Sequence, residues 1–100
     1  MTEQNWGHAA FNVHRYDGTV GRIIVSGRER WALECLIAAS AKGCTPIDQP
    51  GPRWSAYVLD LRGMGVEIET IREPHPGPFE GTHARYVLQS QVTRAEGGAL

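Results

Sequence analysis

The stretch RWSAYVLDLRGMGVEIET, residues 53 to 70, decides how this chain is organised. Trp54, Val58, Leu61 and Met64 recur at steps of four, three and three residues, which places them on one stripe of a helical cylinder. That spacing predicts a helix from Pro52 or Arg53 to about Gly63, with these side chains in the core. Arg53, Ser55, Tyr57, Asp60 and Arg62 fall on the remaining arc, nearer solvent, with Ala56 and Leu59 at its margins. Gly63 and Gly65 bracket Met64 and let the chain reverse. VEIETIR then alternates Val66, Ile68 and Thr70 with Glu67, Glu69 and Ile71, the period of a strand with one dry face.

Downstream, HARYVLQ repeats that alternation, setting Ala84, Tyr86 and Leu88 opposite Arg85, Val87 and Gln89. Between the two runs lies EPHPGPFEGT, whose three prolines and two glycines predict a long, stiffened hairpin loop. After Ser90 the residues become small and polar, so 91–100 are expected to fray as a flexible tail.

Upstream, Pro50-Gly51-Pro52 reads as a tight bend between helices. Before it, CTPID suggests a short helix of at most two turns, capped by Thr45, with Pro46 in the first position and Asp48 in the third. SGRERWALECLIAASAKG opens with Ser26 and Glu29 at capping-box spacing and closes at Gly43. Its apolar stripe is Leu33, Leu36 and Ile37, widened by Ala32, Cys35 and Ala39, while Arg30 and Glu34 pair on the wet side. FNVHRYDGTVGRIIV, residues 11–25, holds two β-rich runs around Asp17-Gly18, a dipeptide suited to a two-residue hairpin turn. Residues 1–10 read as a flexible arm, leaving 11–90 as the folded domain.

Composition narrows the function. One hundred residues with 41% hydrophobic content make a single domain with one modest core, too small for a deep, many-walled active site. No apolar run approaches the roughly 20 residues a bilayer-spanning helix requires, and the start lacks a secretory pattern, so a soluble, cytoplasmic protein with no membrane partner is expected. Cys35 and Cys44 are expected to be reduced structural thiols. His8, His14, His75 and His83 do not fall at ligand spacing with them, so no metal is expected. Glu73 with His75, and Glu80 with His83, have the residue types of acid–base pairs, but no nucleophile motif or phosphate-cradling glycine pattern accompanies them, which argues against an enzyme and against any cofactor. The net charge is −1, from ten Lys and Arg against eleven Asp and Glu, and nine of those ten cations are Arg. Arginine favours bidentate recognition of phosphate or guanine over diffuse attraction.

Taken in order, these elements form an α+β pattern: an N-terminal strand or hairpin, three helices, and a C-terminal β-hairpin with an extended tip. From Ser26 to Ser90 the chain resembles the winged helix-turn-helix family, and RWSAYVLDLRGMGVEIET resembles the end of the recognition helix and first wing strand of small bacterial and phage members. The resemblance implies a cytoplasmic, sequence-specific binder of double-stranded DNA, a small transcriptional regulator whose 53–63 helix enters the major groove with the 66–89 hairpin as wing. Carried over by position, Arg53, Ser55 and Tyr57 would meet the groove and Arg62 a phosphate, with Arg72, His75, Thr82, His83 and Arg85 as backbone contacts from the wing. So few cations make a monomer a weak binder; a homodimer paired through the edge of the N-terminal hairpin would double the contacts. The alternative is a protein-binding winged helix, a phage-type adaptor or inhibitor that docks a partner through the same helix or through the wing tip around Phe79.

Overall fold

In the computed structural model the residues described are 7–15, 17–49, 53–74 and 81–95. Residues 1–6 of the expected 1–10 arm, the Pro50-Gly51-Pro52 bend, the wing tip over 75–80 and the end of the tail, 96–100, lie outside them, whereas Ala9 and Ala10 belong to the first strand instead of an arm, because they pair with Val25 and Ile24. Strand β1 (Ala9–His14) and strand β2 (Val20–Val25) form an antiparallel hairpin, followed by helix α1 (Gly27–Ala39) and a 3₁₀ turn at Ser40–Lys42. Helix α2 (Trp54–Gly63) leads into strands β3 (Ile68–Pro74) and β4 (Thr82–Leu88), which pair antiparallel as the wing. A further strand, β5 (Gln91–Arg94), completes the chain.

The first hairpin forms as its residues predict, with a longer connection than two residues. Arg15 N donates to Thr19 O at 2.9 Å, and Asp17 Oδ1 accepts from Thr19 N at 3.0 Å and from Thr19 Oγ1 at 2.6 Å. The Asp17 side chain therefore organises a wider loop, and Gly18 supplies the left-handed φ of 89°.

Helix α1 buries Ala32, Leu33 and Leu36 completely, as the stripe requires, and Arg30 meets Glu34 at 2.8 Å. The capping box does not form. Ser26 makes no side-chain cap bond, because Gly27 at φ 60° turns the chain into the helix and only the Ser26 carbonyl is used, by Arg30 N at 3.3 Å. At the other end Gly43 takes φ 77° where an added Cβ would lie 2.7 Å from Tyr86 O, so the expected stop is also a close approach to β4.

The predicted middle helix is a single turn, and the fold has two α-helices among the described residues rather than three. Thr45 does cap it: its Oγ1 accepts from Ile47 N at 3.2 Å and Asp48 N at 2.9 Å. The reciprocal bond comes from Gln49, whose Oε1 accepts from Thr45 N at 3.1 Å, in place of Asp48. Gln49 N then donates to Thr45 O at 2.9 Å. The next donor in the ladder would be residue 50, a proline with no N–H, so a costly helical nucleus is never extended.

Helix α2 ends in a Schellman motif. Val66 N donates to Leu61 O at 3.1 Å and Gly65 N to Arg62 O at 3.0 Å, with Gly65 at φ 103°. This geometry swings Met64 out to 37% exposure, against its expected place in the core, and closes Val66 over Leu61 instead. Trp54, Val58 and Leu61 are buried as expected.

Residues 91–94 correct the expectation of a frayed tail. β5 pairs antiparallel with β1, giving the sheet order β2-β1-β5, and its Val92 is buried against the core. The Arg94 guanidinium lies 5.5 Å from the centroid of the Phe11 ring and clasps the strand end. Two alternating residues, Val92 and Thr93, carry too short a pattern to be recognised without the strand they join. Among the described residues no helix is long and apolar enough to cross a membrane.

Replacing Val92 by Thr keeps the shape but buries an unsatisfied hydroxyl, and is expected to cost about 1–3 kcal/mol in urea unfolding. A free tail would leave the midpoint unchanged. Leu61→Ala is expected to cost about 2–5 kcal/mol in the same measurement.

Candidate nucleic-acid interface

The helix carrying the expected contacts is held by an aromatic cluster. Trp54 stacks on Tyr86 of β4 at 5.9 Å with an interplanar angle of 16°, and meets Trp31 of α1 at 5.3 Å. Tyr57 packs edge-on against Trp31 at 6.4 Å and is only 5% exposed. This corrects its expected place on the outer arc. Trp54, Tyr57, Val58 and Leu61 form an i, i+3, i+4, i+7 stripe, and the aromatic body of Tyr57 fills the gap between helices while its hydroxyl accepts from Arg28 Nη1 at 3.2 Å.

The outward arc is therefore Arg53, Ser55, Leu59, Asp60, Arg62 and Gly63, all exposed. Arg53 and Ser55 stand at the start of α2, where the first-turn N–H groups and the positive end of the helix dipole favour an anion. Ser55 and Arg62, seven residues apart, share the flank facing the wing. Arg62 is committed to that wing: its Nη2 donates to Ile68 O at 2.6 Å and to Thr70 Oγ1 at 2.8 Å, and its Nε to Ile68 O at 3.2 Å. It acts first as the tie between helix and hairpin.

Strand parity divides the wing residues between two faces. Arg72 and Thr82 lie on the Thr70–Tyr86 face, which continues the surface of α2, and both are exposed. His83 and Arg85 lie on the other face, half-buried, and both engage Glu73. Arg85 grips it bidentately, Nε to Oε2 at 2.8 Å and Nη2 to Oε1 at 2.9 Å, and adds a bond from Nη1 to Lys42 O at 2.9 Å. His83 Nε2 lies 2.9 Å from Glu73 Oε1. Their expected role at a backbone shared with Arg72 does not fit this geometry, since one duplex cannot lie flat on both faces. His75 lies outside the described residues. Glu69 is exposed on the same side of β3 as Glu73, away from the Arg72 face, and Glu67, just before the strand, is exposed as well.

The surface assembled from the residues upward is thus Arg53 and Ser55 at the helix start, Arg62 and Thr70 at its junction with the wing, and Arg72 and Thr82 along the hairpin. Thr70 is an addition to the sequence reading, and Leu59 stands exposed on α2 outside this surface. Thr70 could have been found from its position between Ile68 and Arg72; Leu59 was placed only at the margin of the arc.

No group of three or more His, Cys, Asp or Glu able to hold a metal occurs among the described residues. Burial raises the Cys44 thiol to about 11, and burial raises Cys35 as well, so neither is an activated nucleophile near neutral pH. Glu73 is held below the ordinary carboxylate range, chiefly by the bonds from Arg85 and then by His83.

The family model described as a winged helix domain matches residues 22–98. No curated protein and no solved structure matches the chain.

A lowered folded pKa means that the unfolded chain binds the Glu73 proton more tightly, so the stability this cluster adds is complete above about pH 4.3 and is lost as pH falls through the depressed value. Thermal unfolding followed from about pH 6 down to about pH 3 is expected to decline less steeply in Glu73→Gln than in the parent chain. An identical acid limb would show that the Arg85 and His83 contacts contribute nothing.

Proposed function

The chain belongs to the winged helix domain family, and we propose that it is a sequence-specific double-stranded-DNA-binding protein, a small transcriptional regulator of bacterial or phage type. The start of α2 enters the major groove, and the Thr70–Arg72 face of the wing lies along the neighbouring phosphates. The observation that carries this reading is the exposure of Arg53 and Ser55 at the start of a helix whose opposite side is clamped by Trp54 and Tyr57. A rigid helix with a fork-shaped donor at its tip suits the O6 and N7 acceptors of guanine, and Ser55 suits either a base edge or a phosphate. Arg72 and Thr82 position the duplex without reading it. The proposal includes no catalytic role and no cofactor.

With Arg85 and His83 turned onto Glu73, few cations per chain remain for phosphates, and affinity falls with salt by only a few units of slope. A second reading, a protein-docking module, is favoured by one observation: the middle of α2 presents Leu59 at 68% exposure beside Asp60, a pairing suited to a protein surface and unsuited to a phosphate-lined groove.

Fluorescence anisotropy with duplexes selected from a random pool, at two salt concentrations, tests the DNA reading. Arg53→Ala is expected to weaken the selected sequence by about 10- to 100-fold and to relax its specificity, whereas Arg72→Ala weakens all sequences alike and lowers the salt slope by about one. Tyr57→Phe, being internal, is expected to leave DNA affinity unchanged. Absence of binding at low salt would move the assignment to the protein-docking module.

A further inference from the structure

A groove of about 450 Å³ runs between the start of α1 and the C-terminal half of α2, lined by Val25, Ser26, Glu29, Leu59, Asp60 and Met64. That volume falls in the range of roughly 300–1,000 Å³ typical of sites that hold a compact ligand. Two local features leave apolar groups open at its rim. Leu59 falls outside the Trp54, Tyr57, Val58 and Leu61 stripe taken up by the core, and the Schellman turn that closes Val66 over Leu61 swings Met64 outward. The two side chains are separated by roughly 7.5 Å of helical rise, so they flank one site rather than two.

The charged groups lining the groove are both carboxylates, one from each helix. Glu29 is half-buried in the first turn of α1, and Asp60 is exposed on α2. The ion pairs formed among the described residues engage Glu34 and Glu73, and none engages Glu29 or Asp60. Apolar surface flanked by two unneutralised carboxylates repels a phosphate backbone and suits a cationic protein segment, since an incoming Lys or Arg gains attraction without breaking a pair already made.

We infer that this groove docks a segment of another protein in which a large apolar side chain is flanked by Lys or Arg. The apolar group rests against Leu59 and Met64, and the cations reach Glu29 and Asp60. The inference deepens the protein-docking reading, on which it rests, by fixing the chemistry of the partner and extending the surface from α2 to the start of α1. The chain's own cation between apolar neighbours, Arg22 between Val20 and Ile24, is not that segment. It lies on the open face of a three-stranded sheet, which is too broad to enter a groove between two helices. Arg53 and Ser55 stand at the end of α2 remote from Met64, so the groove is separate from the tip proposed to meet DNA.

Selection of a random-peptide library on the immobilised full chain tests this, with the enriched peptide then labelled and titrated by fluorescence anisotropy. Enriched peptides are expected to carry a Leu, Ile, Phe or Trp flanked by Lys or Arg. Leu59→Ser and Asp60→Lys, both at exposed positions, are each expected to weaken that peptide at least about tenfold without lowering the melting temperature. Asp60→Asn is expected to flatten the salt dependence of binding, and Arg53→Ala to leave peptide affinity unchanged. Peptides that lack cations yet are lost with Leu59→Ser overturn the inference and keep the docking reading. No enrichment, or peptides indifferent to both Leu59→Ser and Asp60→Lys, overturns the two together. A dimer of the full chain, or duplex binding, that is lost with Leu59→Ser also overturns the inference, by placing a second copy or a nucleic acid in the groove.

Discussion

The stacking of Trp54 on Tyr86 is the constraint on which the rest of the molecule depends. It joins the first turn of α2 to the middle of β4, and through Trp31 it reaches α1, so one cluster sets the relation of both helices to the wing. Each aromatic pair contributes about 0.5–1.5 kcal/mol beyond the area it buries. The indole N–H also donates to Gln49 O at 2.6 Å, which fastens the end of the Thr45 turn to the start of α2. That anchor replaces the longer second helix. Its effect on function is indirect but large, since the direction of α2, and hence the exposure of Arg53 and Ser55, follows from where Trp54 is held.

A second constraint is the pairing of charges within the chain. Most of the cations that would suit a polyanion carry internal duties: Arg62 binds the β3 backbone, Arg85 chelates Glu73, Arg28 donates to the Tyr57 hydroxyl, and Arg94 lies over Phe11. Releasing such a group to a phosphate would break a made bond. The winged-helix surface that remains is narrow, two residues at a helix tip and a short row along one face of a hairpin.

How much of this could be read in advance differs from element to element. Trp54, Val58 and Leu61 of the α2 stripe, the reversal at Gly65 and the alternation of the wing were legible because each is local: a repeat of side chains or a glycine at a left-handed position dictates it within a few residues. The exposure of Arg53 and Ser55 at the start of α2 was legible for the same reason. The sides taken by Arg72 and Arg85 follow from strand parity, although Glu73 as the shared partner of Arg85 and His83 does not, since its carboxylate meets them only when β3 pairs with β4 in the observed register.

What the sequence by itself determined is the first hairpin, the two long helices and the wing in their order, the family resemblance, and Leu33, Leu36, Trp54, Val58 and Leu61 as core, all consequences of periodicity and of the backbone limits of glycine and proline. What only the tertiary structure decided depends on neighbours distant in the chain. Tyr57 is buried because Trp31 lies beside it. Gln91–Arg94 is a strand because β1 offers an edge. Met64 turns outward because Val66 reaches back to Leu61. In each case the short stretch of residues permits two states, and long-range burial or hydrogen bonding selects one.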